Sequence, residues 1–396
     1  MTTPDATKES EVTEDQPAEN RPADTEPVDI LSPLHDEHVA LGAALTSFAG
    51  WQMPLRYSSD IAEHQAVRTA AGLFDLSHMG ELEVAGADAG RALDRALVGN
   101  LSALAPGRAR YTMICAEDGG VLDDLVVYRL TDDRYLVVAN ASNVATVRDA
   151  LTERLHGDAL LADGSLTTAL IAVQGPRAQE IVTGLTPDAE AVAALKYYAA
   201  VDATVAGIPA LVARTGYTGE DGFELFVAAD AAPALWRALL EAGTPLGLVP
   251  AGLSARDSLR LEAGMPLYGN ELDRTTTPHD AGLGRVVKLD KVDDEGNPLP
   301  FVGREALTDV TPTRRLVGLQ GLGRRAARHG YPVTTPAGQV VGEVTSGAPS
   351  PTLGYPVAMA YVSADQADEG TELLVDVRGR GEQVRVVPLP FYRRPR

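Results

Sequence analysis

From Leu31 onward, stretches in which apolar residues recur every three to four positions alternate with stretches in which they recur at every second position. The first period marks an amphipathic helix and the second a half-buried strand. On this basis helices are predicted over 59–71, 87–98 and about 143–155, at PRAQEIVTGL, and near 230–242 and 253–264, with a strand over 81–86. The segment 108–142 holds three alternating runs separated by turn formers at 117–120 and 131–134, which predicts an antiparallel meander. A strand at LTTALIAVQG leads into the helix begun by Pro176, a residue accepted in a first helical turn, where its missing N–H would have no intrahelical partner. VDATVAG and IPALVARTG read as a hairpin, followed by a turn at 220–222 and the strand FELFVAA. Parallel βαβ units opened by a glycine loop are absent, which disfavours a doubly wound nucleotide fold. The nearest match, GLQGLG at 318–323, leads into an Arg-rich stretch where that motif requires a helix.

Beyond this region the pattern changes. Residues 285–313 are polar and bear Gly and Pro, and then short strands dominate: RRLVGLQG, GQVVGEVTS, VAMAYVS, TELLVDVRG and EQVRVVPL. They predict a separate C-terminal β domain, a small barrel. At the other end, residues 1–30 carry nine acids, two basic residues and no aromatic, too little apolar surface to offset the entropy of ordering. The expected division is a disordered acidic tail over 1–30, an α+β region over 31–285, a linker over 286–313 and a β-barrel domain over 314–396.

Composition narrows the function classes. With 396 residues, 45% of them hydrophobic, the chain can bury a large core. Its formal net charge of -21 argues against nucleic acid or an anionic membrane as partner. Only Lys8, Lys196, Lys288 and Lys291 are lysines among 34 cations, so arginine is the main anion-pairing residue. A single cysteine, Cys115, cannot form an internal disulfide, no apolar run approaches the roughly 20 residues of a membrane span, and the N-terminus has no signal-peptide pattern. A cytoplasmic protein is expected.

Several chemistries are disfavoured. The histidines at 35, 38, 64, 78, 156, 279 and 329 have no metal-site spacing, so no metal is expected; Cys115 lies in the apolar run YTMIC and reads as a core cysteine; and no GxSxG elbow occurs. More informative is GGVLDDLVVYR, where strand alternation puts Asp124, Val126 and Tyr128 on one face and Asp123, Leu125 and Val127 on the other. Both acids can be solvated turn residues, or Asp124 and Tyr128 can form a pocket wall that holds a basic nitrogen. On the second reading Asp123 serves stability rather than turnover. In RTGYTGEDGFELFV, Glu224 shares a face with Phe226 and Gly222 inside an apolar strand, where an unpaired acid is expensive. If Ser254 caps the helix in GLSARDSLRLEAG, Arg256 occupies the positive end of the helix dipole and needs an anion or acceptor to reach. A surface helix with an incidental arginine is the alternative.

Taken in order, SPLHDEHVALGAALTSFAGWQMPLRY, VRTAAGLFDLSHMGELEV, GGVLDDLVVYR, IAVQGPRAQ, RTGYTGEDGFEL, AGLSARDSLRLEAGMPLYGNELD, FVGREAL, GEVTSGAPSPTLG and PFYRR resemble the T-protein-like folate-binding family, and within it the aminomethyltransferases of the glycine cleavage system. The resemblance covers nearly everything after residue 31. It implies an α+β, three-domain cloverleaf fold with antiparallel sheets, two intertwined subdomains before the barrel, and tetrahydrofolate as co-substrate in a central channel. It implies transfer of a one-carbon unit from the aminomethyl-lipoyl arm of H-protein to tetrahydrofolate, with ammonia released. By motif, Asp124 matches the catalytic aspartate, Glu224 the acceptor of the pterin donors, and Arg256 an arginine reaching the same ligand. Tyr111, Met79, Asn140, Tyr128, Tyr198 and Tyr217 fall where the family lines its channel, and Arg393 is the candidate C-terminal arginine. A folate-dependent demethylase of a small methylated substrate and a non-catalytic folate-binding maintenance protein are the competing readings. The absence of a fused flavin domain and the retained Asp124 favour the aminomethyltransferase. The basic run LGRRAARHG, with Arg324, Arg325 and Arg328, is either a solvated loop or a dock for an acidic H-protein.

Overall fold

A computed structural model describes residues 28–293 and 295–395. The expected acidic tail lies outside the described residues up to position 27, but Ile30 already belongs to a short strand, Ile30–Leu31, parallel to Trp51–Arg56.

Two open sheets and a closed barrel hold most of the remaining strands, an α+β arrangement. The first sheet runs Arg108–Cys115, Val121–Arg129, Arg134–Ala139, Gly80–Ala85, Leu160–Asp163, antiparallel throughout. Its first three strands are the expected meander. The second sheet runs Ala200–Val205, Ile208–Ala213, Gly222–Ala228, Thr168–Gln174, Ala71–Asp75, Leu248–Pro250. Leu248–Pro250 lies parallel to Ala71, Gly72 and Leu73, a pairing the periodicity did not announce. The barrel order is Arg314–Gly321, Pro356–Ser363, Val340–Pro349, Pro332–Thr334, Glu372–Asp376, Gly381–Val387, so the five expected strands close through a sixth, Pro332–Thr334.

Strand alternation explains the layering. Leu82, Val84, Leu125, Val127 and Val137 point to one side of the first sheet and are buried with Leu93, Val147 and Leu151 of the helices Ala89–Ala96 and Val144–Arg154. Val126, Tyr128, Leu136 and Val138 point the other way and meet Phe74, Leu170 and Phe226 of the second sheet. Behind the second sheet, Leu73, Ile171, Val173 and Leu225 pack on Leu235, Trp236 and Leu239 of the helix Ala232–Gly243. Burying each such side chain stabilises by about 1.5–3 kcal/mol.

Two local expectations are corrected. The helix in PRAQEIVTGL spans only Ala178–Thr183 with Arg177 at its N-cap, so Pro176 lies just outside it. Gly175 makes the preceding turn at φ +134, where a Cβ would meet the Ala70 carbonyl oxygen at 2.5 Å. The helix Leu253–Glu262 is capped at Gly252 rather than Ser254. The buried Glu63 supplies the acceptors there: Oε2 takes the Gly252 N–H at 2.9 Å, and Oε1 takes those of Tyr57 and Ser58 at 2.7 Å. One carboxylate thus serves both the start of that helix and the lead into Asp60–Thr69.

The segment 286–313, expected as a linker, is packed instead. Leu299, Phe301 and Leu307 are buried, and the buried Lys291 ammonium donates to the carbonyls of Asp94, Leu97 and Gly99. Those carbonyls gather at the C-terminal end of Ala89–Ala96, where a cation suits the helix dipole. Burial nevertheless pulls the Lys291 pKa down to about 7.

A buried charged knot ties these parts to the barrel. Arg68 Nη1 contacts Glu220 Oε1 at 2.9 Å and Arg68 Nη2 contacts Glu262 Oε2 at 2.9 Å. Glu262 also accepts from the hydroxyls of Ser350 and Thr352 in the barrel and contacts His64 Nε2 at 3.1 Å. The Arg68 guanidinium stacks 4.0 Å from the ring centre of Tyr392.

Candidate functional site

A cavity of about 200 Å3 opens between the two sheets and the stretch that leads from Glu262 toward the barrel. Its mostly apolar wall, broken by a few polar groups, suits a small organic ligand.

The meander register places Asp124 opposite Met113 and Asp123 opposite Ile114, so the two acids face opposite sides as alternation requires. Asp124 lines the cavity. Its Oδ2 accepts from the Tyr111 hydroxyl at 3.0 Å and its Oδ1 from Asn140 Nδ2 at 2.9 Å. Burial pushes its carboxyl above the ordinary carboxylate range, against the pull of the Tyr111 and Asn140 donors. Asp123 is fully buried on the apolar side, where Asn140 and Asn143 donate to it.

Across the cavity, Glu224 sits on Gly222–Ala228 with Ala172 and Ala213 as its partners on the flanking strands. The Thr215 hydroxyl donates to Oε2, and the Tyr128 hydroxyl lies 3.4 Å from the same atom and 2.9 Å from the Thr215 hydroxyl. Burial raises the Glu224 carboxyl, with the Thr215 bond and the Arg256 charge opposing.

Arg256, on Leu253–Glu262, is the matching cation. Its guanidinium lies 4.8 Å from the Tyr217 ring centre, and among the described residues it has no hydrogen-bond or ion-pair partner. Burial lowers its pKa. A half-buried arginine that lines a cavity and has no hydrogen-bond partner among the described residues is set up for an acceptor on a ligand. Tyr198 reaches the cavity from a left-handed backbone at φ +60, held by its N–H to the Arg214 carbonyl and its carbonyl to the Ala109 N–H, both 3.0 Å. Tyr217 donates its hydroxyl to the Pro266 carbonyl.

Met79, Tyr111, Asp124, Tyr128, Asn140, Tyr198, Tyr217, Glu224 and Arg256 therefore all line one cavity. Arg393 does not: it is exposed and outside the lining, while its neighbour Arg394 contacts Asp221 at 3.3 Å. The sequence reading missed Thr215, Met265, Pro266 and Leu283. Only Thr215 had a signal, a hydroxyl two residues before Tyr217 in a turn-forming stretch; the others are plain apolar wall. In the basic run, Arg325 contacts Glu382 at 3.2 Å and Arg328 donates to the Gly347 carbonyl at 2.7 Å. Among the described residues no cluster of His, Cys, Asp and Glu is placed to hold a metal ion, and no helix is long and apolar enough to cross a membrane.

Comparison with known proteins gives two family matches, the GCVT N-terminal domain over residues 34–291 and the glycine cleavage T-protein C-terminal barrel domain over 314–393. An aminomethyltransferase of Streptomyces avermitilis is 61% identical over 365 residues, covering 90% of this chain and 96% of its own. One from Saccharopolyspora erythraea is 59% identical over 367 residues, covering 92% and 98%. Among solved structures, the glycine cleavage system aminomethyltransferase T from Bartonella henselae superposes with a TM-score of 0.82 at 35% identity, covering 92% of this chain and 98% of that one.

Proposed function

We propose, from the premise that this chain belongs to the glycine cleavage T-protein family, that its cavity takes tetrahydrofolate between Glu224 and Asp124. The chain is an aminomethyltransferase of the glycine cleavage type. It takes the aminomethyl group carried by the lipoyl arm of H-protein, releases ammonia and yields 5,10-methylenetetrahydrofolate. The observation that carries the folate reading is the joint placement of two half-buried acids and a half-buried arginine, the arginine without a hydrogen-bond or ion-pair partner among the described residues, on the wall of one cavity.

Bound tetrahydrofolate supplies the nitrogen that accepts the one-carbon unit. The protein's own groups bind, orient and move protons. Glu224 presents two acceptor oxygens to the N–H groups of a pterin, with Thr215 and Tyr128 fixing its orientation. Arg256 donates to the same ligand from the neighbouring wall. Asp124, held by Tyr111 and Asn140, takes the proton from a weakly basic aryl nitrogen as that nitrogen attacks. Its raised pKa brings it nearer the working pH, where a general base is most effective. The apolar remainder, including Met79, Leu170 and Leu283, keeps water from the reacting groups.

The purified protein, given aminomethylated H-protein and tetrahydrofolate, should release ammonia and form methylenetetrahydrofolate. Turnover of a small methylated amine or thioether without H-protein would assign the demethylase reading instead. Glu224→Gln turns one acceptor oxygen into a donor facing the ligand's own donors, so tetrahydrofolate binding should weaken by roughly 1.5–3 kcal/mol. Calorimetry with unchanged affinity would remove Glu224 from the pterin site.

A further inference from the structure

Asp123 does more than fill a place on the apolar face. Its Oδ2 accepts the Asn140 backbone N–H at 3.0 Å, and its Oδ1 accepts Asn140 Nδ2 at 2.9 Å and Asn143 Nδ2 at 2.7 Å. The same Asn140 Nδ2 lies 2.9 Å from Asp124 Oδ1 and 3.1 Å from the Asp124 carbonyl oxygen. One amide nitrogen thus bridges the two neighbouring acids, although their side chains leave the strand on opposite faces. An asparagine amide can turn over, exchanging its donor and acceptor ends. Facing Asp123, only the N–H2 end is satisfied, because two oxygens would repel. We propose that Asp123 is a positioning residue for the transfer reaction: it fixes the amide of Asn140 so that an N–H is always directed at Asp124, and with it the direction in which Asp124 faces the cavity.

Asn143 makes the arrangement rigid. It is buried in the short helical turn Ala141–Asn143, outside the cavity lining, and anchors the Asp123 carboxylate from behind. The other groups electrostatically coupled to Asp124 are Tyr111, Tyr198, Tyr217, Tyr268 and Glu271, and of these only the Tyr111 hydroxyl hydrogen-bonds it, at Oδ2 rather than at the Oδ1 that Asn140 holds. Burial and the nearby Asp124 carboxylate both push the Asp123 carboxyl up, so its three N–H donors are what keep a second acid tolerable beside the first. This inference rests on Asp124 being the proton-handling group.

The test is a double-mutant cycle on the full chain, with kcat counted per folded molecule and tetrahydrofolate Kd measured alongside. Asp123→Asn sets its amide N–H2, whichever way it turns, against donors that one of the two carboxylate oxygens accepts, and should lower kcat about tenfold to a hundredfold, the scale of a small misplacement of a reacting group. Kd should change less than about threefold, since Asp123 does not touch the cavity. Asn140→Ala should lose a similar amount, and the double variant should be no worse than Asn140→Ala alone, because both changes break one relay. If Asp123→Asn fails to fold, Asn143→Ala takes its place in the cycle and should lower kcat at least about threefold with the same loss of additivity. A kcat within twofold of the parent's for the variant in use, or losses that multiply in the double variant, would reduce Asp123 to a structural acid. Asp124→Asn separates the two levels: full turnover there overturns the assignment of Asp124 itself, whereas a large loss there with none at Asp123 overturns only the positioning role.

Discussion

Asparagine at position 124 is expected to cut kcat by about 10²–10⁴ while tetrahydrofolate affinity changes by less than about tenfold. The substitution keeps the shape of the side chain and the strand register opposite Met113, and Tyr111 and Asn140 remain beside it. What it removes is the negative charge and the capacity to take a proton from the attacking nitrogen. On the proposed reading, binding draws mainly on Glu224, Arg256 and the apolar wall, which the change leaves alone. Single-turnover ammonia release, set against calorimetric Kd, distinguishes the two effects. A loss of affinity as large as the loss of rate would make Asp124 a binding residue, and an intact rate would remove it from the chemistry.

The second large effect concerns stability. Glu262→Gln should destabilise the fold by about 3–5 kcal/mol, as expected when one partner of a buried ion pair is neutralised and the other keeps its charge. The side chain is 1% exposed and accepts from Arg68, His64, Ser350 and Thr352, so an amide N–H2 in its place faces donors on several sides. Burial alone would raise the Glu262 carboxyl, but the His64 contact and the hydroxyl bonds outweigh it and hold the pKa down to about 2, below the ordinary 4.5. A depressed folded-state pKa contributes stability that is present above the unfolded value and lost as pH falls through the folded one. The gap in thermal stability between the protein and this variant should therefore be full at neutral pH and narrow as pH drops from 4.5 toward 2. A gap that stays constant across that range would mean that the carboxylate charge is not what the knot uses.

Much of the first sheet was legible because alternation and turn chemistry agree: the meander from Arg108 to Ala139 reads directly off its apolar periodicity and the Gly119–Gly120 turn. Ala71–Asp75 was not, since five fully buried residues directly follow a helix with no turn former between them, and a short apolar run has no period of its own. Leu248–Pro250 and Pro332–Thr334 have too few residues to show alternation. The helix start at Gly252 was misread because its acceptor, Glu63, is 189 positions away and no local cap motif reports it. In the site, Glu224 stood out because charge is costly in an apolar strand, Asp124 because alternation sets it on one face with Tyr128, and Arg256 because a cation is disfavoured near a helix start. Met265, Pro266 and Leu283 carried no such mark, and Asn140 gave no hint that it bridges two acids. Arg393 illustrates the opposite failure: a motif at a chain end does not fix which of two adjacent arginines takes a partner, and it is the exposed Arg394 that contacts Asp221.

The charged knot also sets an order of events. His64 and Thr352 meet across 288 positions, and Arg68 stacks on Tyr392, close to the last described residue. The residues lining the cavity, by contrast, are all present once Leu283 has been made. A chain emerging from the ribosome N-terminus first thus carries every wall of its ligand cavity before the barrel that braces Glu262 exists. Contacts between such distant positions are the slow ones to form, because the loop must close before they reward it. Until the barrel docks, Glu262 lacks its Ser350 and Thr352 donors, and the helix that carries Arg256 lacks its packing against the strands Val340–Pro349 and Pro356–Ser363. The nascent chain passes through an interval in which every residue of the cavity wall is present while the helix that bears Arg256 is still unbraced by the barrel.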